Sequence, residues 1–277
     1  MNDYINQYKA DANDVIEKTP EKLLESSRIT LDADIKPPPP VIQIDNFSVY
    51  PVTIMTEGNV SVIKGKAKTR KSFAVAMLTA SALSDSKLYN KFISVPRKLV
   101  VYFDTEQSSF YVQQAMNRIY QMSIGDGFGT RFFCFGLRKF NPDERLELVE
   151  WVFSKFKNLG FVVIDGIRDL IKDINSPDEA TMISSKLLKW SEESGAHILT
   201  VLHENPSDGK LRGHIGTELM NKAETVLQVE KMEDDKMISK IKCNMVRGLE
   251  FEPIYFTIEN NIPILTEYNG NDETGTF

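Results

Sequence analysis

Apolar residues beyond position 60 fall into two alternating patterns. Short continuous apolar runs predict strands buried on both faces, and they occupy residues 60–63, 99–103, 131–135, 161–164 and 197–202. Between these runs, helices are predicted over residues 73–83, 108–121 and 141–157, and from residue 177 onward. This alternation indicates an α/β fold, with a mostly parallel, twisted sheet that has helices on both faces.

The predicted C-terminal part is different, because strands follow one another without helices between them. They occupy residues 225–230, 237–246 and 251–258, the last ones antiparallel around turns at Asp234–Asp235 and Gly248. Earlier in the chain, Ser176 before Pro177 predicts a helix start, with Glu179 at the capping-box position.

Residues 1–40 are predicted to form a short N-terminal arm and linker. The arm is polar and charged, and Thr19 before Pro20 predicts a helix start with threonine as the cap. Four successive prolines at positions 37–40 predict an extended polyproline II linker. We therefore expect a boundary near residue 40 and a single domain over residues 41–277.

Composition narrows the class of protein but not its partner. No window approaches the apolar length of a membrane span, and the N-terminus lacks the apolar core of a signal peptide, so we expect a cytoplasmic protein with no membrane contact. Cys134 and Cys243 lack disulfide-framework or metal spacing, which predicts free thiols. The net charge of −6 argues against a broadly basic surface for duplex DNA, although a ring or groove can still be locally basic.

Residues 65–72 lie between a predicted strand and a predicted helix, which is the context of a phosphate-binding loop. A glycine lets the backbone turn, successive amides face the phosphates, and the helix N-terminus adds a favourable field. Lys71 would reach the β- and γ-phosphates, and Ser72 would ligate Mg²⁺. The predicted nucleotide-binding residues are Gly65, Lys66, Ala67, Lys68, Thr69, Arg70, Lys71, Ser72 and Phe73. The alternative is a lysine-rich surface loop.

Arg70 departs from the usual loop pattern, which has its second glycine at this position. Its side chain either crowds the loop or points outward and adds charge at the phosphate edge. The departure bears on hydrolysis more than on nucleotide binding.

Acidic residues end two of the predicted core strands. Asp165 follows an apolar strand about a hundred residues after the loop, which is the Walker B arrangement for holding Mg²⁺ opposite Ser72. Because Gly166 follows Asp165, the acid that orients the attacking water must come from elsewhere, and Glu106 after the strand at 99–103 is the candidate. The alternative is that Asp104 and Glu106 are solvated loop acids.

His203 ends a further core strand, where a polar side chain would lie beside the γ-phosphate as a sensor; the alternative is a hydrogen-bonded histidine at a strand end. The following segment contains glycines and basic residues that could contact a polyanion. The nucleic-acid candidates there are Lys210, Arg212 and His214.

Together these residues resemble those of RecA-like ATPases, most closely the RepA-like branch of hexameric helicases from plasmids and mobile elements. The resemblance covers about residues 41 to 260. It rests on the loop at 65–72 and on the segments 103–106, 164–166, 201–203 and 212–216.

The resemblance implies a RecA-like P-loop fold that uses ATP and Mg²⁺, assembled into a ring, a hexamer in this branch. A neighbouring subunit would complete each ATP site with a basic finger, for which Lys242 and Arg247 are the candidates; alternatively they are strand-edge charges. It also implies single-stranded DNA in a central channel, contacted by the loops after Asp165 and His203, in replication or mobilisation of an element.

Three other hypotheses remain open. The first is a RecA-fold regulatory or assembly switch that does not translocate. The second is a nucleotide-binding protein in which Arg70 has abolished turnover. The third is a ParA-like dimer, because Lys66 lies five residues before Lys71, but proteins of that class lack the Glu106 arrangement.

Overall fold

A computed structural model describes residues 19–46, 50–94, 98–204 and 213–268. The chain divides between Pro38 and Pro39 into two compact units. The described part of the first unit contains one helix, α1 (Pro20–Ser27), which begins as predicted: the Thr19 side chain accepts the N–H of Lys22 at 3.4 Å. No residue of α1 is buried.

The second unit contains the sheet and the remaining helices. Its helices are α2 (Lys71–Leu83), α3 (Ser109–Met122), α4 (Gly127–Arg131), α5 (Pro142–Lys155), α6 (Pro177–Ser194) and α7 (Gly213–Lys222), with a 3₁₀ helix at Ile167–Leu170. Its strands are β1 (Pro40–Ile44), β2 (Val52–Thr56), β3 (Val60–Gly65), β4 (Phe92–Ser94), β5 (Leu99–Asp104), β6 (Phe132–Gly136), β7 (Leu159–Asp165), β8 (His197–His203), β9 (Thr225–Lys231), β10 (Ser239–Val246), β11 (Ile254–Glu259) and β12 (Ile262–Leu265).

Nine strands form the central sheet, in the order β12-β11-β10-β9-β3-β8-β7-β5-β6. Pairing is parallel from β9 to β6 and antiparallel from β9 to β12. The prediction of a mostly parallel sheet with antiparallel C-terminal strands is therefore confirmed. The strand of this sheet that was not predicted is β12, which is short and contains Pro263.

Helices cover both faces of this sheet, because neighbouring residues of each central strand enter different hydrophobic cores. Val62 packs in the core beneath α5, α6 and α7, whereas Ile63 packs in the core beneath α2 and α3. Val101 and Val100 divide between the two cores in the same way. A strand buried on both faces cannot show polar alternation, which explains the continuous apolar runs in the sequence.

A second sheet, β2-β1-β4, was not predicted. Its inward side chains, including Ile42, Ile54 and Phe92, belong to the core beneath α2. Pro40, which the sequence places in a polyproline linker, instead opens β1 and aligns with Thr56 of β2. Proline is tolerated as the first residue of a strand, since its missing N–H then removes little from the ladder.

The helix starts differ from prediction in one detail. Ser176 accepts the N–H of Glu179 at 3.2 Å, as predicted for the cap of α6. However, the Glu179 carboxylate accepts the N–H groups of Lys172 and Asp173 at 2.7 and 3.0 Å. It therefore closes the preceding loop rather than completing a capping box.

The two cysteines are free, as predicted. Burial raises the pKa of Cys134 to about 12 and that of Cys243 to about 11, so both thiols stay protonated at neutral pH. Within the described residues, no helix has the length and apolarity needed to span a membrane.

His197 is a fully buried histidine at the start of β8. Its Nδ1–H donates to the Thr56 carbonyl at 2.8 Å, and its Nε2 has no hydrogen-bond partner among the described residues. Burial lowers its pKa to about 4 from the usual 6.5. The unfolded chain therefore binds a proton between pH 6.5 and pH 4 that the folded chain does not, and this group costs stability as the pH falls through that range.

We expect the stability advantage of the wild type over a His197→Gln variant to shrink by about 2 kcal/mol between pH 7 and pH 5. Chemical denaturation of both proteins at the two pH values measures it. His214→Gln, which changes an exposed histidine, serves as the control. An advantage of His197 that is independent of pH would contradict the assignment.

Candidate nucleotide site

Strand register places the predicted site residues at one edge of the sheet. Gly65 at the end of β3 aligns with His203 at the end of β8, and Asp165 at the end of β7 aligns with Asp104 at the end of β5. Because β3, β8, β7 and β5 are adjacent and parallel, their carboxyl ends meet. The carboxyl edge of a parallel sheet is where α/β proteins bind ligands.

The backbone of the loop after β3 is sterically constrained, and two of its non-glycine residues adopt the unfavourable left-handed conformation. At Gly65, a Cβ atom would lie 2.4 Å from the Val229 carbonyl oxygen, so only glycine fits beside β9. Lys68 and Arg70 both have left-handed backbones, with φ of 64° and 74°. Thr69 is buried and donates to the Lys66 carbonyl at 2.9 Å, which closes the turn.

Lys71 is the buried cation of the site. Its ammonium donates to the carbonyls of Gly65 and Lys66 at 2.8 and 2.9 Å and to His203 Nδ1 at 3.1 Å. Burial lowers its pKa to about 8, although nearby Asp165 opposes the shift. The ammonium is thus charged at neutral pH, and the nearby acids offset only part of the cost of burying that charge.

Arg70 points away from the loop interior. Its guanidinium donates to the carbonyls of Met237 and Lys236, at 2.5 and 3.3 Å, in the turn between β9 and β10. Of the two orientations left open by the sequence, the outward one is observed.

Asp165 lies half-buried at the end of β7. Tyr102 of β5 donates its hydroxyl to the Asp165 carboxylate at 2.6 Å. Burial raises the pKa of Asp165 to about 7, and the Tyr102 hydrogen bond counteracts part of that rise. A carboxylate desolvated to this extent gains strongly from a nearby cation.

Gly166 follows Asp165 for a steric reason. Its φ is 96°, and an added Cβ would lie 2.0 Å from the Thr105 hydroxyl. Thr105 is buried, and its hydroxyl lies within 3.0 Å of three acceptors that share its one proton: the Asp165 and Gly166 carbonyls and the Asp169 carboxylate. This contact joins the ends of β5 and β7.

Glu106 and His203 face each other across the site, with His203 Nε2 3.8 Å from Glu106 Oε2. An ammonium can only donate, so His203 Nδ1 accepts from Lys71 and its Nε2 carries the proton that faces Glu106. The pKa of Glu106 is below its usual range, chiefly because of His203. Glu106 is therefore a carboxylate at neutral pH.

Asp104 holds Glu106 in place. Its fully buried carboxylate accepts the backbone N–H groups of Glu106 and Gln107 at 3.1 and 2.7 Å, and the Gln107 side chain at 2.7 Å. These bonds fix the turn that follows β5. Asp104 is thus a structural acid, whereas Glu106 is directed into the site.

These side chains line one cleft of about 360 Å³. Ser72 and Phe73, in the first turn of α2, line it together with Asp165 and Glu106. Behind Phe73, the Arg118 guanidinium stacks 3.8 Å from the ring centroid and is itself fixed by Asn261. The Phe73 side chain that lines the cleft is thus packed against α3.

The donor set fits Mg²⁺. A hydroxyl at Ser72 and a desolvated carboxylate at Asp165 are hard oxygen ligands, and Mg²⁺ bound to a nucleotide takes its other ligands from phosphates and water. The described residues contain no cluster of three or more histidine, cysteine or acidic side chains that could hold a metal ion.

Lys242 and Arg247 lie outside this cleft. Lys242 pairs with Glu230 at 3.1 Å. Arg247 follows Val246, which aligns with Thr225 at the opposite end of the sheet from Gly65. Of the polyanion candidates, Lys210 and Arg212 lie outside the described residues, and His214 is exposed in the first turn of α7.

A buried ion pair behind the loop was not predicted. Lys64 and Glu204 approach to 3.1 Å, and Gln228 donates to the same Glu204 oxygen at 3.0 Å. The Glu204 N–H also donates to the Gly65 carbonyl at 3.2 Å. The sequence signal for this pair is that Lys64 directly precedes Gly65 and Glu204 directly follows His203, so each charge lies next to a predicted site residue.

The fold has a counterpart among solved structures. No protein-family model and no curated protein matches the chain. The crystal structure of the RadB recombinase aligns with it at a TM-score of 0.54 and 13% sequence identity, over 76% of this chain and 92% of the recombinase chain. The chain has a RecA-like fold. At this identity the likeness concerns the fold alone.

The buried charge of Lys71 costs folding stability, because its pKa in the folded protein lies below the usual 10.5. We expect a Lys71→Met variant to unfold at a higher temperature than the wild type at pH 7. The Gly65 and Lys66 carbonyls keep other donors, Glu204 N–H and the Thr69 hydroxyl, so the substitution leaves neither of them unpaired.

The gain should shrink above pH 8, as the wild-type lysine loses its proton in the folded state before the unfolded one. Thermal unfolding at pH 7 and pH 9.5 measures both effects. Lys189→Met, at an exposed lysine of α6, is the control. A Lys71→Met protein less stable than the wild type at pH 7 would contradict this account.

Proposed function

We propose that this chain binds ATP with Mg²⁺ and hydrolyses it as a RecA-type motor, and that it acts on single-stranded DNA in the replication or mobilisation of a genetic element. One observation carries the proposal: Lys71, Glu106, Asp165 and His203, from four different elements, converge on one cleft. Phosphate binding, Mg²⁺ binding, water activation and phosphate sensing are the tasks that ATP hydrolysis by a phosphate-binding loop requires, and we assign one of them to each of these residues.

Phosphate binding falls to the loop and Lys71. The loop residues 65–72 lead directly into α2, whose N-terminal amides favour an anion. Lys71 would exchange the Gly65 and Lys66 carbonyls for oxygens of the β- and γ-phosphates. Because those carbonyls retain other donors, the exchange leaves neither unsatisfied.

Ser72 and Asp165 would hold Mg²⁺. Bound there, the ion would neutralise charge that develops on the phosphates during transfer. The contribution of this chain is the Tyr102 hydrogen bond, which orients the Asp165 carboxylate from the buried side.

Hydrolysis adds water to the γ-phosphorus and breaks its bond to the β,γ-bridging oxygen, giving ADP and phosphate. Glu106 would orient the water and accept its proton, since its lowered pKa keeps it ionised. His203 bridges Glu106 and Lys71, and would report to Glu106 whether Lys71 has engaged a phosphate.

Assembly into a ring, a hexamer in the RepA-like branch, would place Lys242 and Arg247 of one subunit at the ATP site of its neighbour. Arg247 lies at the sheet end remote from Gly65, so it would serve the site of a neighbouring subunit rather than its own. Its guanidinium donates to the Lys222 carbonyl at 3.4 Å, which is a contact that an approaching phosphate could replace.

Single-stranded DNA is proposed as the partner for two reasons. The fold neighbour is a recombinase, and basic side chains follow β6 and β7 at the same sheet edge as the cleft. Arg138 and Lys139 are exposed there, and Arg168 and Lys172 follow Asp165.

A regulatory ATPase that does not translocate is the second candidate, and a specific observation favours it. Lys172 pairs with Asp143 at 2.8 Å and Arg168 with Asp169 at 3.5 Å, so these cations are already partly neutralised. Such pairs weaken attraction for a polyanion.

Steady-state ATP hydrolysis with and without an oligothymidine strand separates the candidates. A motor should hydrolyse ATP faster when the strand is present. A rate that is the same with and without the strand would favour the regulatory ATPase. ATP binding without turnover would favour the hypothesis that Arg70 has abolished hydrolysis. A wild-type protein that does not bind ATP would contradict the proposal as a whole.

Glu106→Gln should retain ATP affinity but hydrolyse ATP at least about 100-fold more slowly, equivalent to roughly 3 kcal/mol of barrier. The amide can still orient water but cannot accept its proton. Single-turnover hydrolysis together with a binding isotherm measures the two effects. Glu147→Gln, an exposed glutamate of α5, is the matched control, and a near-normal rate for Glu106→Gln would move the base elsewhere.

A further inference from the structure

Arg70 occupies a backbone conformation that favours glycine. Its φ of 74° and ψ of 29° are left-handed, and it is the N-cap of α2 without a capping side-chain bond. A residue with a side chain pays about 1 kcal/mol to adopt this conformation. Some other contact must therefore hold the residue before Lys71 in place.

The side chain of Arg70 supplies that contact through the turn between β9 and β10, residues 232–238. One guanidinium nitrogen donates to the Met237 carbonyl at 2.5 Å and the other to the Lys236 carbonyl at 3.3 Å. Ser239, which is fully buried, lies 3.4 Å from the guanidinium and 3.5 Å from the Thr69 carbonyl. The loop and the turn are thus joined at two consecutive residues.

The turn has its own internal bonds, which determine where its carbonyls point. Asp235 accepts the N–H of Met237 with its side chain at 2.8 Å and the N–H of Ile238 with its carbonyl at 3.0 Å. The Ile238 carbonyl accepts the N–H of Met232 at 3.0 Å. Asp235 therefore shapes the acceptor to which Arg70 binds, although it is not among the residues that line the cleft.

We propose that Arg70 is a positioning residue for the phosphate-binding loop and that the 232–238 turn is the element through which it acts. The hydrogen bonds from Arg70 to the Met237 and Lys236 carbonyls are called the tether below. Where the usual glycine would leave the backbone free, the tether fixes its conformation. Nucleotide affinity then depends on the shape of a turn outside the cleft, and by linkage nucleotide binding changes the free energy of that turn. The inference rests on the proposed ATP binding.

Substitutions at Arg70 separate the tether from backbone conformation and from charge. Arg70→Gly adopts the left-handed conformation freely but loses the tether. Arg70→Lys keeps the charge and can reach one carbonyl. If the tether matters, Arg70→Gly should raise the KM for ATP at least about tenfold with kcat changed less than about threefold, and Arg70→Lys should recover part of the loss.

The turn offers an independent test that leaves the loop intact. Asp235→Ala should raise the KM for ATP in the same direction, whereas Glu233→Ala, which removes the same charge from an exposed position of the same turn, should not. In the double variant with Arg70→Gly, the Asp235→Ala substitution should add nothing, because the tether is already absent. Thermal unfolding of each variant checks that it is folded.

An Arg70→Gly protein that binds ATP as tightly as the wild type would overturn the inference while leaving the proposed function intact. Independent, additive effects of Arg70→Gly and Asp235→Ala would also overturn it. A wild-type protein without ATP affinity would contradict the proposed function, and this inference with it.

Discussion

The site depends on the parallel register of four adjacent strands. Because β3, β8, β7 and β5 end at the same edge, Gly65, His203, Asp165 and Asp104 are brought together from positions spread over about 140 residues of sequence. The Thr105 contacts that require Gly166 join two of these strand ends directly. A slip in register would separate the cation from the acids.

This register concentrates charged side chains in a cleft where Lys71 is buried and Asp165 is half-buried. Burial lowers the pKa of Lys71 and raises that of Asp165, which means that it destabilises the charged form of each group. A ligand of opposite charge would stabilise each charged form. His203 lies between Lys71 and Glu106 and connects them. If the proposed ATP binding holds, the same desolvation that destabilises these groups in isolation would strengthen their interaction with a polyphosphate and its cation.

The sequence was sufficient for the central strands and for the residues at their ends, since continuous apolar runs and terminal polar residues are local signals. It was insufficient for the small sheet, whose strands are only three to five residues long. The direction of Arg70 and the pairing of Lys64 with Glu204 also could not be read. Each depends on a partner more than a hundred residues away, which only the three-dimensional fold brings close.

The central claim is that the cleft holds the phosphates of ATP. A crystal structure with Mg²⁺ and a non-hydrolysable ATP analogue tests it most directly. The account predicts Lys71 Nζ within hydrogen-bond distance of the β- and γ-phosphate oxygens, with Mg²⁺ between Ser72 and Asp165. A nucleotide bound elsewhere, or a Lys71 that still contacts only Gly65, Lys66 and His203 beside bound phosphates, would contradict it.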